Sequence, residues 1–114
     1  GDGEGWVAFF LEAVAASAAE AERGIVALAS LVTADRRRLL ASPKAGPASY
    51  RLFELLPTMP RLTVAHAQRQ LETSFPTANA AVNLLVSLGI LTELTGQKTG
   101  RVFSYQAYVE LLTR

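Results

Sequence analysis

Cysteine is absent from the chain, so no disulfide framework and no thiolate metal site is available, and a reducing compartment is permitted. Histidine occurs once, as His66, with no second ligand three or four residues away and no nucleophile arranged beside it. That pattern argues against a histidine metal centre and against a hydrolytic triad. No apolar run approaches the roughly eighteen residues that span a bilayer, and the start lacks the basic-then-apolar order of a secretory signal. The chain therefore reads as soluble and cytoplasmic, with no membrane partner and no cofactor. A surplus of one charge is also missing: eleven Lys and Arg face ten Asp and Glu. A nucleic-acid partner is neither demanded nor excluded by that balance. The opening Gly-Asp-Gly-Glu-Gly has no Met and leads straight into a structured pattern, as expected of a portion of a longer protein.

What is present is an apolar half, enough across 114 residues for one core with an additional helix. From residue 6 to about 38 the spacing predicts one long helix, with Trp6, Phe10, Ala13, Ser17, Ala21, Ile25, Leu28 and Val32 on a stripe and Phe9, Val14 and Leu31 beside it. Gly24 within it suggests a kink or a close approach. Trp6, Phe9, Phe10 and Val14 are candidate interface residues, and the alanine-rich run after them suits tight contact with another helix; a homodimer is one expectation. Arg36, Arg37 and Arg38 close this rod and read as cations complementing a helix C-terminus.

Residues 41–47 are rich in breakers and form the one good internal boundary, dividing a long helix (1–40) from a module (48–114). In the module, a short helix over 48–56 turns Leu52, Leu55 and Leu56 inward, and Pro60 follows in a turn. Thr63 caps a further helix with Val64, Ala67, Gln68 and Leu71 inward and Ala65, Arg69 and Glu72 outward. Next, Ser74 is a capping residue, Pro76 falls where a missing N–H does no harm, and Ala78, Val82, Leu85 and Leu88 share a buried face. Thr77, Asn79, Ala80 and Asn83 occupy the opposite face. Gly89 supplies the left-handed stop. Two β-runs, 90–94 and 102–105, bracket a polar tip with two glycines and predict a hairpin, and a terminal helix covers 106–113. The fold class is mainly α with a small β-hairpin: a long N-terminal helix followed by a winged helix-turn-helix domain.

Two segments resemble the C-terminal region of bacterial Fic-domain proteins, the adenylyl-transferase family. Gly5-Trp6-Val7-Ala8-Phe9-Phe10-Leu11-Glu12-Ala13-Val14 is similar to the helix closing the Fic fold. Ser74-x-x-Thr77-Ala78-Asn79 with Leu88-Gly89-Ile90-Leu91-x-Glu93-x-Thr95-Gly96 is similar to the winged-helix module that many members carry. The resemblance implies an upstream Fic catalytic domain as partner in a longer parent. The Fic His-Pro-Phe…Gly-Asn-Gly-Arg segment has no counterpart here, so this chain is not expected to transfer AMP, whereas that parent is.

The implied function is a winged-helix DNA-binding, transcription-regulatory accessory module; the alternative is a protein-interaction or dimerisation module that regulates the neighbouring Fic domain. Candidate contacts to double-stranded DNA are Arg69, Ser74, Thr77, Asn79, Asn83, Lys98 and Arg101. An asparagine can pair with adenine N6 and N7, a threonine methyl can pack on a thymine methyl, and the three cations can neutralise phosphates. Three phosphate contacts imply a salt slope near ~3.

Overall fold

A computed structural model describes the backbone of residues 2–114 and the side chains of residues 18–114. The elements run α1 (Asp2–Leu40), α2 (Pro47–Leu55), β1 (Arg61–Leu62), α3 (Val64–Leu71), α4 (Phe75–Ser87), β2 (Thr92–Glu93), β3 (Phe103–Ser104) and α5 (Gln106–Leu112). The chain is thus mainly helical, with a small antiparallel sheet of order β1-β3-β2. After α1 come three helices, the middle one preceded by an edge strand, and then a closing hairpin and a short terminal helix. No described helix is long and apolar enough to cross a membrane.

The α3–α4 pair sits at the centre because its ends are chemically determined. Thr63 accepts a hydrogen bond from the His66 N–H at 3.1 Å and starts α3; Ser74 accepts from the Thr77 N–H at 3.3 Å and starts α4. Each cap satisfies an amide the helix leaves orphaned. Gly89 adopts φ +75° after α4, with its N–H on the Val86 carbonyl and the Ile90 N–H on that of Leu85. This is a Schellman stop, and it aims Ile90 and Leu91 into the core. A side chain at Gly89 would be strained by that φ and would also meet Arg38 Nη2 at 3.3 Å.

Between α3 and α4 the chain turns at Glu72, the one non-glycine residue with positive φ (+52°) among those described. An L residue there carries a conformational cost that glycine avoids. The sheet pairs Thr92 with Ser104, Glu93 with Phe103, and Arg61 with Ser104. Beyond it, the Leu94 N–H reaches the Val102 carbonyl at 2.8 Å, so the wing proper is residues 95–101. Glu93 clamps the wing's first turn: its carboxylate accepts from the Thr95 hydroxyl at 2.7 Å and from the Gly96 N–H at 2.8 and 3.0 Å. Those bonds, the Thr95 hydroxyl first, hold Glu93 below the usual carboxylate range.

Phe53, Leu52, Leu56, Leu71, Val82, Leu85, Leu91 and Tyr105 form the buried centre, and Leu39 joins it from the last turn of α1. The end of α1 is tied down by polar contacts as well. Asp35, only 5% exposed, accepts from the Tyr105 hydroxyl at 2.6 Å and from Arg38 at 3.1 Å. Arg36 forks onto Glu54 of α2 at 2.8 and 3.0 Å and lies 5.6 Å over the Phe53 ring. The arginine run is therefore more than a solvated helix end, because Arg36 reaches across to α2 and Arg38 pairs with Asp35, the acid that Tyr105 holds.

Several expectations change. Among the described side chains of the long-helix stripe, Leu28 and Val32 are half-buried, whereas Ala21 is exposed and Ile25 is 67% exposed, since α1 runs past the module there. Gly24 makes no close approach, and the space beside it is open. Residues 61–62, between the Pro60 turn and the Thr63 cap and assigned to no element by the sequence pattern, form strand β1, because β3 offers them a ladder. Phe53, not assigned inward by periodicity, is a core residue, whereas Leu55 is half-buried. The candidate interface residues Trp6, Phe9, Phe10 and Val14 lie outside the described side chains.

Candidate nucleic-acid interface

Helix α4 buries Ala78, Ala81, Val82 and Leu85 and leaves Pro76, Thr77, Ala80, Asn83 and Ser87 as an exposed ridge. Its geometry follows from the caps at both ends: one face must carry the core, so the other meets solvent. No charged residue occurs between Glu72 and Glu93, so the ridge itself is neutral. Ser74 donates its hydroxyl proton to Thr77 Oγ1 at 2.9 Å. Since the Thr77 oxygen is the acceptor there, its own proton is left to donate outward. Ser74 is thereby committed to capping, with Thr77 as the outward-facing group of that pair.

Two clefts flank the ridge. On the wing side, a cleft of about 500 Å³ is lined by Phe75, Asn79, Lys98, Thr99, Arg101 and the start of α3 at Thr63, Val64 and Ala65, among others. Three of the sequence candidates, Asn79, Lys98 and Arg101, are brought together in it. Phe75, at the first position of α4, stands 53% exposed at the same place. On the opposite side, a groove of about 600 Å³ between α2 and α4 brings Thr77 and Ala80 together with Lys44 and Arg51. Neither Lys44 nor Arg51 is marked by periodicity or motif. Lys44 lies in the breaker-rich linker and Arg51 on a helix assigned a purely structural part, so only the packing of α2 against α4 reveals them.

Arg69, exposed on α3, and Asn83, exposed on the ridge, line neither cleft. Among the described residues, the ion pairs that form use Arg36 and Arg38, and no carboxylate lies within 4.0 Å of Lys44, Arg51, Arg69, Lys98 or Arg101. Among the described residues, four cations with no ion-pair partner, Lys44 and Arg51 on one side and Lys98 and Arg101 on the other, thus line the two flanks of a neutral helix ridge. Glu72, in the turn before α4, is an acidic neighbour of the ridge. His66 is half-buried on α3, where its backbone N–H serves the Thr63 cap. Among the described residues, no three His, Asp or Glu side chains converge as a metal site would require.

No protein-family model matches the chain, and no curated protein matches it significantly. The functional reading therefore stands on the site itself.

Proposed function

We propose that the chain binds double-stranded DNA, with α4 lying in the major groove and the cations of the two clefts on the phosphates at either side. The observation that carries this reading is the pairing of Lys44 and Arg51 on one flank of α4 with Lys98 and Arg101 on the other. A helix about 10–12 Å across fits a major groove about 12 Å wide, which puts flanking side chains over the two phosphate backbones. Thr77 and Asn83 on the ridge and Asn79 in the wing cleft are then the groups that face base edges, an asparagine matching adenine and a threonine methyl matching thymine. The arginines and lysines position the protein, and the ridge supplies whatever discrimination there is.

Magnitudes follow from the count of cations. Counting Arg69 of α3 with the four cations of the clefts, five phosphate contacts correspond to a slope of log K against log salt of about −4.5. A single copy with that many contacts and few base contacts belongs near the non-specific range, roughly 10⁻⁴ to 10⁻⁶ M at physiological salt. Within this reading, the resemblance to Fic-protein C-termini suggests a regulatory module behind a catalytic domain, with AMP transfer belonging to that domain. The test is fluorescence anisotropy of a mixed-sequence duplex at several salt concentrations. Lys98→Ala/Arg101→Ala and Lys44→Ala/Arg51→Ala should each reduce the slope by about 1.8, two contacts' worth. A chain that leaves the duplex free at low salt and ~100 μM protein defeats the proposal.

A further inference from the structure

Phe75 opens α4 with its ring 53% exposed, and it belongs neither to the core nor to the partly buried residues packed against it. It takes no part in capping, which Ser74 performs. A lone exposed ring needs no explanation by itself; its surroundings supply one. Four residues on, and so on the same side of the helix, stands the half-buried Asn79. Both line the wing-side cleft, where Val64 and Ala65 of α3 add apolar wall and Lys98 and Arg101 add charge. The cleft thus holds an apolar ring, an amide with both donor and acceptor, and two cations. Those are the groups that meet a base methyl, a base edge and a phosphate.

We infer that Phe75 and Asn79 together select A·T base pairs, the ring by packing on the C5-methyl of a thymine and the amide by pairing with N6 and N7 of an adenine. The inference rests on the placement of α4 in the major groove and adds a sequence preference to it. Of the four bases only thymine presents a methyl there, and adenine presents the acceptor and donor that an asparagine amide matches. A separate observation points the same way. Guanine is read most often by an arginine or lysine, and α4 contains neither.

The spacing fits a duplex. Four residues of helix advance about 6 Å, against about 3.4 Å for each base pair, so the two groups fall on pairs one or two steps apart. Covering one methyl is worth about fourfold in affinity. A bidentate amide–adenine contact discriminates by about five- to 150-fold. Phe75 is therefore the smaller determinant and Asn79 the larger, and each can be removed without touching the cations of the cleft.

The experiment measures binding of the full chain to three alternating duplexes at low salt: poly(dA-dT), poly(dA-dU), which lacks only the methyls, and poly(dG-dC). Their uniform repeats make every register equivalent, so no operator need be known. The thymine duplex should bind about fourfold tighter than the uracil duplex, and the uracil duplex at least about fivefold tighter than poly(dG-dC). Phe75→Ala should abolish the first difference, and Phe75→Leu, which keeps an apolar contact, should retain part of it. Asn79→Ala should abolish the second difference and keep the first. Equal affinity for the thymine and uracil duplexes, a methyl preference that survives in Phe75→Ala, or equal affinity for the uracil duplex and poly(dG-dC) overturns the inference while duplex binding stands. Failure to bind any of the three overturns it together with the DNA reading.

Discussion

Replacing Tyr105 by phenylalanine removes one oxygen and tests what holds α1 to the module. The Tyr105 hydroxyl is buried and donates at 2.6 Å to Asp35, seventy residues earlier in the chain. Its ring keeps its neighbours in the variant, stacked on Tyr108 at 5.4 Å and tilted against Phe53 at 6.2 Å, so the change is confined to the hydrogen bond. A hydrogen bond to a charged group contributes about 1.5–3 kcal/mol, and the Asp35 carboxylate would be left buried with Arg38 as its one side-chain partner. The expected loss is about 2–3 kcal/mol, a substantial fraction of the roughly 6–17 kcal/mol typical of a chain this long. In urea, that displaces the midpoint downward by about 1–2 M. Replacing both partners, Asp35→Leu with Tyr105→Phe, removes the buried charge with its donor and should recover much of the loss. A pH series adds an independent check. Burial first, and then the Asp35 hydrogen bond, push the Tyr105 phenol well above its ordinary value. A group raised in the folded state contributes stability that is complete below its unfolded value and lost above it, so the native chain should weaken as pH climbs past about 10. Tyr105→Phe should weaken less over that range. A variant within about 0.5 kcal/mol of the native chain at neutral pH would refute the reasoning.

Three further outcomes follow from the backbone and the surface. Glu72→Gly relieves the left-handed residue between α3 and α4 and should raise stability by about 0.5–1 kcal/mol after glycine's own entropic cost, as a urea midpoint shift. Gly24→Ala, with open space at its Cβ, should add up to about 1 kcal/mol to the helix and appear as increased far-ultraviolet helicity. Hydrogen bonding from Arg36 lowers the Glu54 carboxyl, so that pair stabilises above the ordinary carboxylate range and loses its contribution as pH falls through the depressed value. Both side chains are largely exposed, so Glu54→Gln should cost no more than about 0.5–1 kcal/mol at pH 7 and nothing at acid pH.

The α3–α4 pair was legible because its signals are local. Thr63 and Ser74 announce caps, Gly89 announces the stop, and the apolar spacing between them selects the buried faces. What escaped was set by distant partners. Arg61 and Leu62 are too few to show alternation, and they become a strand because Phe103 and Ser104 lie beside them. Asp35, next to three arginines, carries no local signal of burial, and it is Tyr105, seventy residues on, that encloses it. The candidate site divided along the same line: Asn79, Lys98 and Arg101 were assigned from the helix and the wing, but Lys44 and Arg51 acquire meaning only once α2 packs beside α4. Ile25 carries the opposite lesson, since its periodicity promised burial and no part of the module reaches that far along α1.

The salt dependence of duplex binding tests the central claim most directly. Anisotropy titrations of the native chain against a mixed-sequence duplex should give a slope of about −4.5, falling to about −2.7 when either flanking pair, Lys44 with Arg51 or Lys98 with Arg101, is replaced by alanine. A slope that does not change when either pair is removed, or a duplex left unbound at low salt, would contradict the assignment of α4 and its two clefts to DNA.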